Sequence, residues 1–274
     1  MLKNIYGLIG EKLGHSFSPQ IHSLIFQHLG IKSYYHLFEV KKEELRTAIE
    51  GLKVLGTKGV NVTIPYKVDV IGCIDELANE AAEIGAINTI VFNDNYTKGY
   101  NTDYFGFIML LDKNNVSILD KTVVVLGTGG ASRAAVKALK DKGASEIILV
   151  SRNPEKAKRK YNSLKIISYD EISKLENKDI IINCTPVGMY PDTDKSPIGK
   201  KEIEGCRVVL DLIYNPRETL LIKQARELNI KADNGLYMLV GQAIKAQELW
   251  QGTKIDSTIT NVIFKEIEIF FNWR

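Results

Sequence analysis

Two groups of residues in this 274-residue chain have types and spacings that could do chemistry. The first is the run Thr122 to Arg133, T-V-V-V-L-G-T-G-G-A-S-R, in which Gly127, Gly129 and Gly130 stand between a β-branched run and an alanine-rich one. Glycines between a strand and a helix let backbone amides approach a phosphate at the positive end of the helix dipole. Ser132 holds the third glycine position of the strict G-x-G-x-x-G, so a tight turn without a ligand is the competing reading. About 20 residues on, an NAD-binding unit places an acid for the ribose hydroxyls. Ser151 and Arg152 stand there instead. An arginine can grip a 2′-phosphate through paired, charge-assisted hydrogen bonds, so NADP is the expected cofactor. Lys156 extends the positive charge, whereas Lys158, Arg159 and Lys160 read as a solvated face.

The second group is spread over the N-terminal half. Ser18 before Pro19 is a natural helix start, a capping serine followed by a proline at the first helical position, and a ligand role competes with that reading. Ser16 has no such structural explanation. Lys67 follows Pro65 at what reads as the start of a helix running to about Asn79. A cation there opposes the helix dipole, which points to a task unless the side chain swings into water. Asp103 reads either as the cap of a helix starting near Tyr104 or as a ligand group, and Asn88 is a polar interruption of the strand Ala86 to Phe92.

The elements that must position these residues are legible from periodicity. Val123 to Leu126 lacks polar alternation, as a central parallel strand covered on both faces does. Ala131, Ala134, Ala135, Ala138 and Leu139 recur at helical spacing, Gly143 supplies a stop, and Glu146 to Val150 is the next strand, a β-α-β unit of about 30 residues. Strands at Lys165–Ser168, Asp179–Asn183 and Val208–Leu212, with helices at Asp170–Leu175 and Glu218–Leu228, extend it into a Rossmann-type, doubly wound sheet. The loop C-T-P-V-G-M-Y-P after Asn183 leaves a strand's carboxyl end, where such sheets bind ligands. Upstream, strands at Ile5–Ile9, Tyr34–Val40, Lys58–Pro65 and Ala86–Phe92 join helices from Ile21 to Leu29 and Lys42 to Lys53, and Asn93–Asn95 reads as a turn before a returning strand. Helices Leu236–Trp250 and Asp256–Phe271 have no strand of their own and are expected to pack back on the N-terminal half. The expected fold is α/β in two domains, residues 1–102 with 236–274, and residues 103–235.

Composition narrows the partners. A 45% hydrophobic fraction and a net charge of +3 fit a folded chain without the basic excess of a nucleic-acid surface. Cys73, Cys184 and Cys206 form no C-x-x-C pair, so neither a disulfide framework nor a zinc site is expected. His15, His22, His28 and His36 lack metal-ligand spacing, and each reads as structural or solvent-facing. No apolar run reaches the length of a membrane span, and the N-terminal one is too short for a signal peptide. The expectation is a cytoplasmic protein with a small-molecule ligand, no metal, no nucleic acid and no membrane.

Eight motifs in order resemble the shikimate dehydrogenase family, and the resemblance spans essentially the whole chain. They are H-S-F-S-P from His15, N-V-T-I-P-Y-K from Asn61, G-A-I-N-T from Gly85, N-T-D from Asn101, G-T-G-G-A-S-R from Gly127, S-R-N from Ser151, D-L-I-Y-N-P from Asp211 and N-G-L-Y-M-L-V-G-Q-A from Asn234. The resemblance implies an NADP-linked dehydrogenase interconverting 3-dehydroshikimate and shikimate. It assigns the substrate carboxylate to Ser16 and Ser18, the ring hydroxyls to Thr63, Asn88 and Gln242, a pocket wall to Tyr214, and catalysis to Lys67 and Asp103. It assigns the pyrophosphate to Gly127, Gly129, Gly130 and Ala131, the 2′-phosphate to Ser151, Arg152 and Lys156, and the nicotinamide end to Gly235 and Met238. The residue types agree with the chemistry. A hydride moved onto a carbonyl leaves negative charge on oxygen, which needs a proton donor within hydrogen-bond reach, and Lys67 is such a donor with Asp103 to orient it.

Four positions depart from the family pattern. Ser151 replaces a common asparagine, Lys156 a common arginine, and Tyr104 and Tyr237 replace glycines, which bears on the 2′-phosphate clamp and on pocket shape. The alternatives are an NAD-using quinate/shikimate dehydrogenase and a catalytically silent NADP-binding regulator. The first shares most motifs, and the second is disfavoured by the intact Lys67 and Asp103. A monomer or homodimer is expected.

Overall fold

The computed structural model describes residues 4–14, 16–93 and 96–272; His15 of the first motif, and Asp94 and Asn95 of the expected turn, lie outside the described residues. The chain divides into two compact units, Met1–Gly106 with Val240–Arg274, and Phe107–Leu239.

The first unit opens with β1 (Asn4–Gly10), α1 (Ser18–His28), β2 (Ser33–Glu39), α2 (Leu45–Val54) and β3 (Gly59–Val62). It continues through β4 (Glu76–Leu77), α3 (Asn79–Ile84), β5 (Thr89–Phe92) and β6 (Thr97–Tyr100) into α4 (Thr102–Lys113). Its sheet runs β2-β1-β3-β5-β6-β4; β1 is parallel to both neighbours, and β5 lies antiparallel to β3 and β6. Period-two alternation divides the side chains between two faces. Ile9, Val60 and Val62 pack with Leu45, Ile49 and Leu52 of α2 on one. Tyr6 packs on the other with Phe26 of α1 and with Ala246 and Trp250.

The second unit carries β7 (Thr122–Leu126), α5 (Gly130–Asp141), β8 (Glu146–Val150), α6 (Pro154–Lys158), β9 (Lys165–Ile167) and β10 (Ile180–Asn183). After these come α7 (Lys200–Ile203), β11 (Val208–Asp211), α8 (Leu220–Glu227) and β12 (Lys231–Asn234). All its strand pairs are parallel, in the order β12-β11-β10-β7-β8-β9. β7 is fully buried at the point where strand order reverses, as its unbroken apolar run required.

The chain then enters α9 (Leu236–Gln251) and α10 (Ser257–Asn272). Most of α9 and all of α10 belong to the first unit, as expected of helices without a strand of their own. The Trp250 indole donates to the Ile90 carbonyl at 3.0 Å, and a Cβ on Gly59 would stand 1.9 Å from Trp250 Nε1, so only glycine lets α9 lie this close to β3. Glu266 of α10 meets His28 of α1 at 2.9 Å.

Two expectations are corrected, and one strand was not foreseen. The helix from Pro65 to about Asn79 does not form: a turn leads to a 3-10 helix at Asp69–Cys73, then β4 and α3. Val68, Val70 and Ile71 are β-branched, and Asp75 accepts the Thr97 amide and hydroxyl at 2.7 and 2.9 Å, drawing the segment onto β6 instead. The segment Asp170–Leu175 is a 3-10 helix at Tyr169–Lys174, started by a reciprocal capping box between Ser168 and Glu171. The edge strand β12, K-A-D-N, is too short and polar to be legible as a strand from its sequence.

Candidate functional site

In the first unit the structure joins three predicted residues directly. Lys67 lies in the turn after β3, its backbone carbonyl accepting the Ile87 amide at 2.8 Å. Its ammonium donates to Asp103 Oδ2 at 2.5 Å, and the Asn88 side-chain amide donates to Asp103 Oδ1 at 2.8 Å. Asn88 is itself fixed: its Oδ1 accepts the Thr102 amide at 2.6 Å and the Thr102 and Thr89 hydroxyls at 3.0 and 3.2 Å. The lysine and aspartate side chains keep 22% and 15% exposure, enough to meet a ligand while the amide behind them is buried.

Geometry changes the local arguments. Because Lys67 precedes a 3-10 helix by a turn, opposition to an α-helix dipole no longer applies to it. Asp103 does not cap α4; Asn101 Oδ1 accepts the Tyr104 amide at 3.3 Å, while Asp103 sits inside the first turn. The cap position of α1 falls on Phe17, so Ser18 is the first helical residue rather than the cap, and Ser16 Oγ accepts the Ser18 amide at 3.2 Å. Both serines are half-buried, as are Thr63 and Gln242. Thr63 closes the turn that carries Lys67, its carbonyl accepting the Tyr66 amide at 2.9 Å. Gln242 lies one turn before Lys245 on α9, whose ammonium stands 4.8 Å from the Phe105 ring centroid on α4. Tyr104 packs edge-on to Phe105, with ring centroids 5.0 Å apart.

In the second unit the glycine turn joins β7 to α5. Gly127 takes φ +97°, and a Cβ there would stand 2.8 Å from Thr185 Cγ2. Its amide donates to the Val150 carbonyl at 2.9 Å, which brings the turn beside Ser151 and Arg152 at the end of β8. No side chain caps α5, and the Cα faces of Gly129 and Gly130 look onto open space, with Ala131 next in the first turn. This is a backbone cradle open to an anion. Arg152 is exposed, and the buried Ser151 hydroxyl accepts the Asn153 amide at 3.1 Å while Asn153 caps α6 at Lys156. These residues fit a 2′-phosphorylated dinucleotide. Lys160, read as part of a solvated face, instead donates to the Thr128 carbonyl of the turn at 3.0 Å, and burial followed by the neighbouring Arg133 pushes its pKa down.

Tyr214 and Gly235 follow β11 and β12, where the Gly235 amide donates to the Ile213 carbonyl at 3.0 Å. Beneath them Asp211, fully buried, accepts Asn183 Nδ2, the Ile213 amide and the Thr219 hydroxyl at 2.9, 3.1 and 2.7 Å. Burial raises its pKa to about 6. Met238 is buried in α9, and Tyr237 lies under the Lys113 ammonium at 5.7 Å. Sequence reasoning gave no role to Tyr35, Asn61, Thr89 or Thr102. Asn61 in the otherwise apolar strand G-V-N-V was the available signal. Among the described residues no group of three or more His, Cys, Asp or Glu is placed to hold a metal ion, and no helix is long and apolar enough to cross a membrane.

A doubly wound unit with an open glycine turn beside an arginine, and an α/β unit presenting a lysine–aspartate pair, define a class: two-unit α/β proteins with a dinucleotide-binding unit. Comparison with known proteins agrees. A family model described as Shikimate dehydrogenase substrate binding domain matches residues 8–90, and one described as Shikimate / quinate 5-dehydrogenase matches residues 110–218. A shikimate dehydrogenase (NADP(+)) of Clostridium perfringens is 45% identical over 97% of this chain and 99% of its own. The crystal structure of a chorismate mutase/shikimate 5-dehydrogenase fusion protein from Clostridium acetobutylicum superposes with a TM-score of 0.97 at 49% identity, covering 99% of this chain and 100% of that one. A shikimate dehydrogenase crystallised with NADP+ gives 0.88 at 38% identity, over 96% and 95% of the two chains. The chain belongs to the shikimate dehydrogenase family.

Proposed function

We propose that this protein catalyses the reversible, NADP-dependent reduction of 3-dehydroshikimate to shikimate, a step of aromatic amino acid biosynthesis. The observation that carries the reading is the Lys67 ammonium held 2.5 Å from one Asp103 oxygen while Asn88 holds the other. NADP, when bound, supplies the hydride in one direction and accepts it in the other. Lys67 gives a proton to the substrate oxygen as negative charge develops on it, and takes one back in the oxidative direction. Asp103 orients the ammonium and accepts a hydrogen bond from a substrate hydroxyl. Ser16 and Ser18 bind the carboxylate, Thr63, Asn88 and Gln242 the ring hydroxyls, and Tyr214 lines the same pocket. Gly127, Gly129, Gly130 and Ala131 would hold the pyrophosphate, Ser151, Arg152 and Lys156 the 2′-phosphate, and Gly235 and Met238 the nicotinamide end. On this reading residues 1–102 with 236–274 form the substrate domain and residues 103–235 the NADP domain. The protein works in the cytoplasm as a monomer or homodimer, without nucleic-acid or membrane partners.

The test offers the purified protein shikimate or quinate, each with NADP+ or NAD+, and follows absorbance of the reduced nicotinamide. Turnover is expected with shikimate and NADP+ well above the other pairs. Preference for quinate or NAD+ would make it the alternative dehydrogenase, and NADP+ binding without turnover on any pair would favour a silent regulator.

A further inference from the structure

One face of the first unit's sheet hides a line of polar groups that the catalytic assignment leaves unexplained. By register Tyr35 of β2 lies opposite Tyr6, and Asn61 of β3 opposite Leu8, two residues along β1, so both side chains project from the same face. There the Tyr35 hydroxyl donates to Asn61 Oδ1 at 2.7 Å. The direction of that bond is forced. Asn61 Nδ2 donates to the Asn88 carbonyl at 3.2 Å and to Thr89 Oγ1 at 2.9 Å, and a carbonyl only accepts, so the amide oxygen must face Tyr35 and the phenol must donate. One hydroxyl thus ties β2, through Asn61, to the backbone of Asn88.

The ring carrying that hydroxyl is held as firmly as the hydroxyl itself. His22, one helical turn after Ser18, stacks on Tyr35 with centroids 4.1 Å apart and planes within 8°. His22 is fully buried, and burial, outweighing the opposing effect of the Asn61 side chain, pushes its pKa down to about 3, so it packs as a neutral ring. Its Nδ1 accepts from Gln247 Nε2 of α9 at 2.8 Å, which leaves the hydrogen on Nε2; that nitrogen is buried and makes no hydrogen bond of ordinary geometry among the described atoms. A sheet–helix interface concerned only with stability would be better served by apolar side chains than by a buried phenol, amide and imidazole.

We propose that Tyr35 is a positioning residue for substrate binding: its hydroxyl fixes the Asn61 amide, and through Asn61 the backbone from which Asn88 reaches Asp103. The inference rests on the proposed reading of this site as the one that takes a carboxylated, hydroxylated ring. Tyr35 acts on the substrate only through these neighbours.

The test is Tyr35→Phe in the full chain, which keeps the stack on His22 and deletes one oxygen. Steady-state kinetics are measured for both substrates, together with Tm. Loss of one directed hydrogen bond is expected to raise KM for shikimate about 5- to 30-fold. KM for NADP+ stays within about twofold and Tm within a few degrees, as for a change confined to one buried contact. In an Asn61→Ala background the same substitution has a smaller effect, because its route to the substrate is already gone. An unchanged KM for shikimate overturns the proposal, as does a fall in Tm accompanied by equal loss on both substrates. So does an effect that multiplies in full with Asn61→Ala. The unmutated protein is assayed in the same series, so failure of the functional reading appears as an inactive parent, and failure of the inference as an active parent that Tyr35→Phe does not alter.

Discussion

Asp103 occupies the first turn of α4, where a carboxylate is favoured by the helix dipole whatever else it does. Its type and position therefore looked structural and functional at once, and only the bonds to Lys67 and Asn88 show how both oxygens are used. Ser16 and Ser18 carry the same lesson. The serine with a ready structural explanation makes no cap, and the one without an explanation supports the other's amide. What stayed illegible at this scale were partners distant in sequence: Tyr35 meets Asn61 across the sheet, and Lys160 returns to Thr128 over 32 positions. For cofactor choice, Arg152 is exposed at the end of β8 beside the glycine turn, with no acid at the ribose position. Arg152→Ala is expected to raise KM for NADP+ about 10- to 100-fold, the worth of one or two charge-assisted hydrogen bonds, and to leave KM for NAD+ nearly unchanged. Equal effects on both cofactors in a steady-state comparison would take the 2′-phosphate away from Arg152.

Elements with a long, unbroken pattern were legible. The β7 run, the alanine face of α5 and the amphipathic α1 form close to where periodicity put them, because burial of one face decides their conformation. The stretch from Thr63 to Asn79 was not, since its conformation is set by Asp75 reaching Thr97 on a strand 22 positions later. At the glycine turn, Gly127→Ala forces a side chain into φ +97° against Thr185. A loss of about 1–3 kcal/mol of stability is expected in denaturant titration, with weaker NADP+ binding. The α1–β2 contact predicts a pH effect. Unfolded His22 gains a proton as pH falls through about 6.5. Folded His22 stays neutral down to about 3. The unfolded state binds more protons within that window, so this contribution is fully present above it and is lost as pH falls. The stability of wild type minus that of His22→Gln should therefore fall between pH 7 and pH 4, by no more than about 1.4 kcal/mol per pH unit. A difference independent of pH in urea titrations would mean that His22 is charged in the fold.

At the scale of the whole molecule, the unit built from both ends of the chain was legible because two amphipathic helices were left without strands to cover. The division is Met1–Gly106 with Val240–Arg274 against Phe107–Leu239, so the chain crosses within α4 and within α9, positions that hydrophobic pattern alone does not mark. If α10 is part of the first unit's core, its buried Ile263 must matter to the folding of residues far away in sequence. Ile263→Ala is expected to cost about 2–4 kcal/mol by chemical denaturation, and a cost near zero would mean that α10 is dispensable. In the proposed reaction everything turns on the proton that Lys67 delivers. The most direct test is kcat of Lys67→Ala with shikimate and NADP+. A fall of about 100- to 10,000-fold, with KM for shikimate changed only a few-fold, is the expected result. Turnover near that of the unmutated protein would remove Lys67 from the chemistry and contradict the central claim.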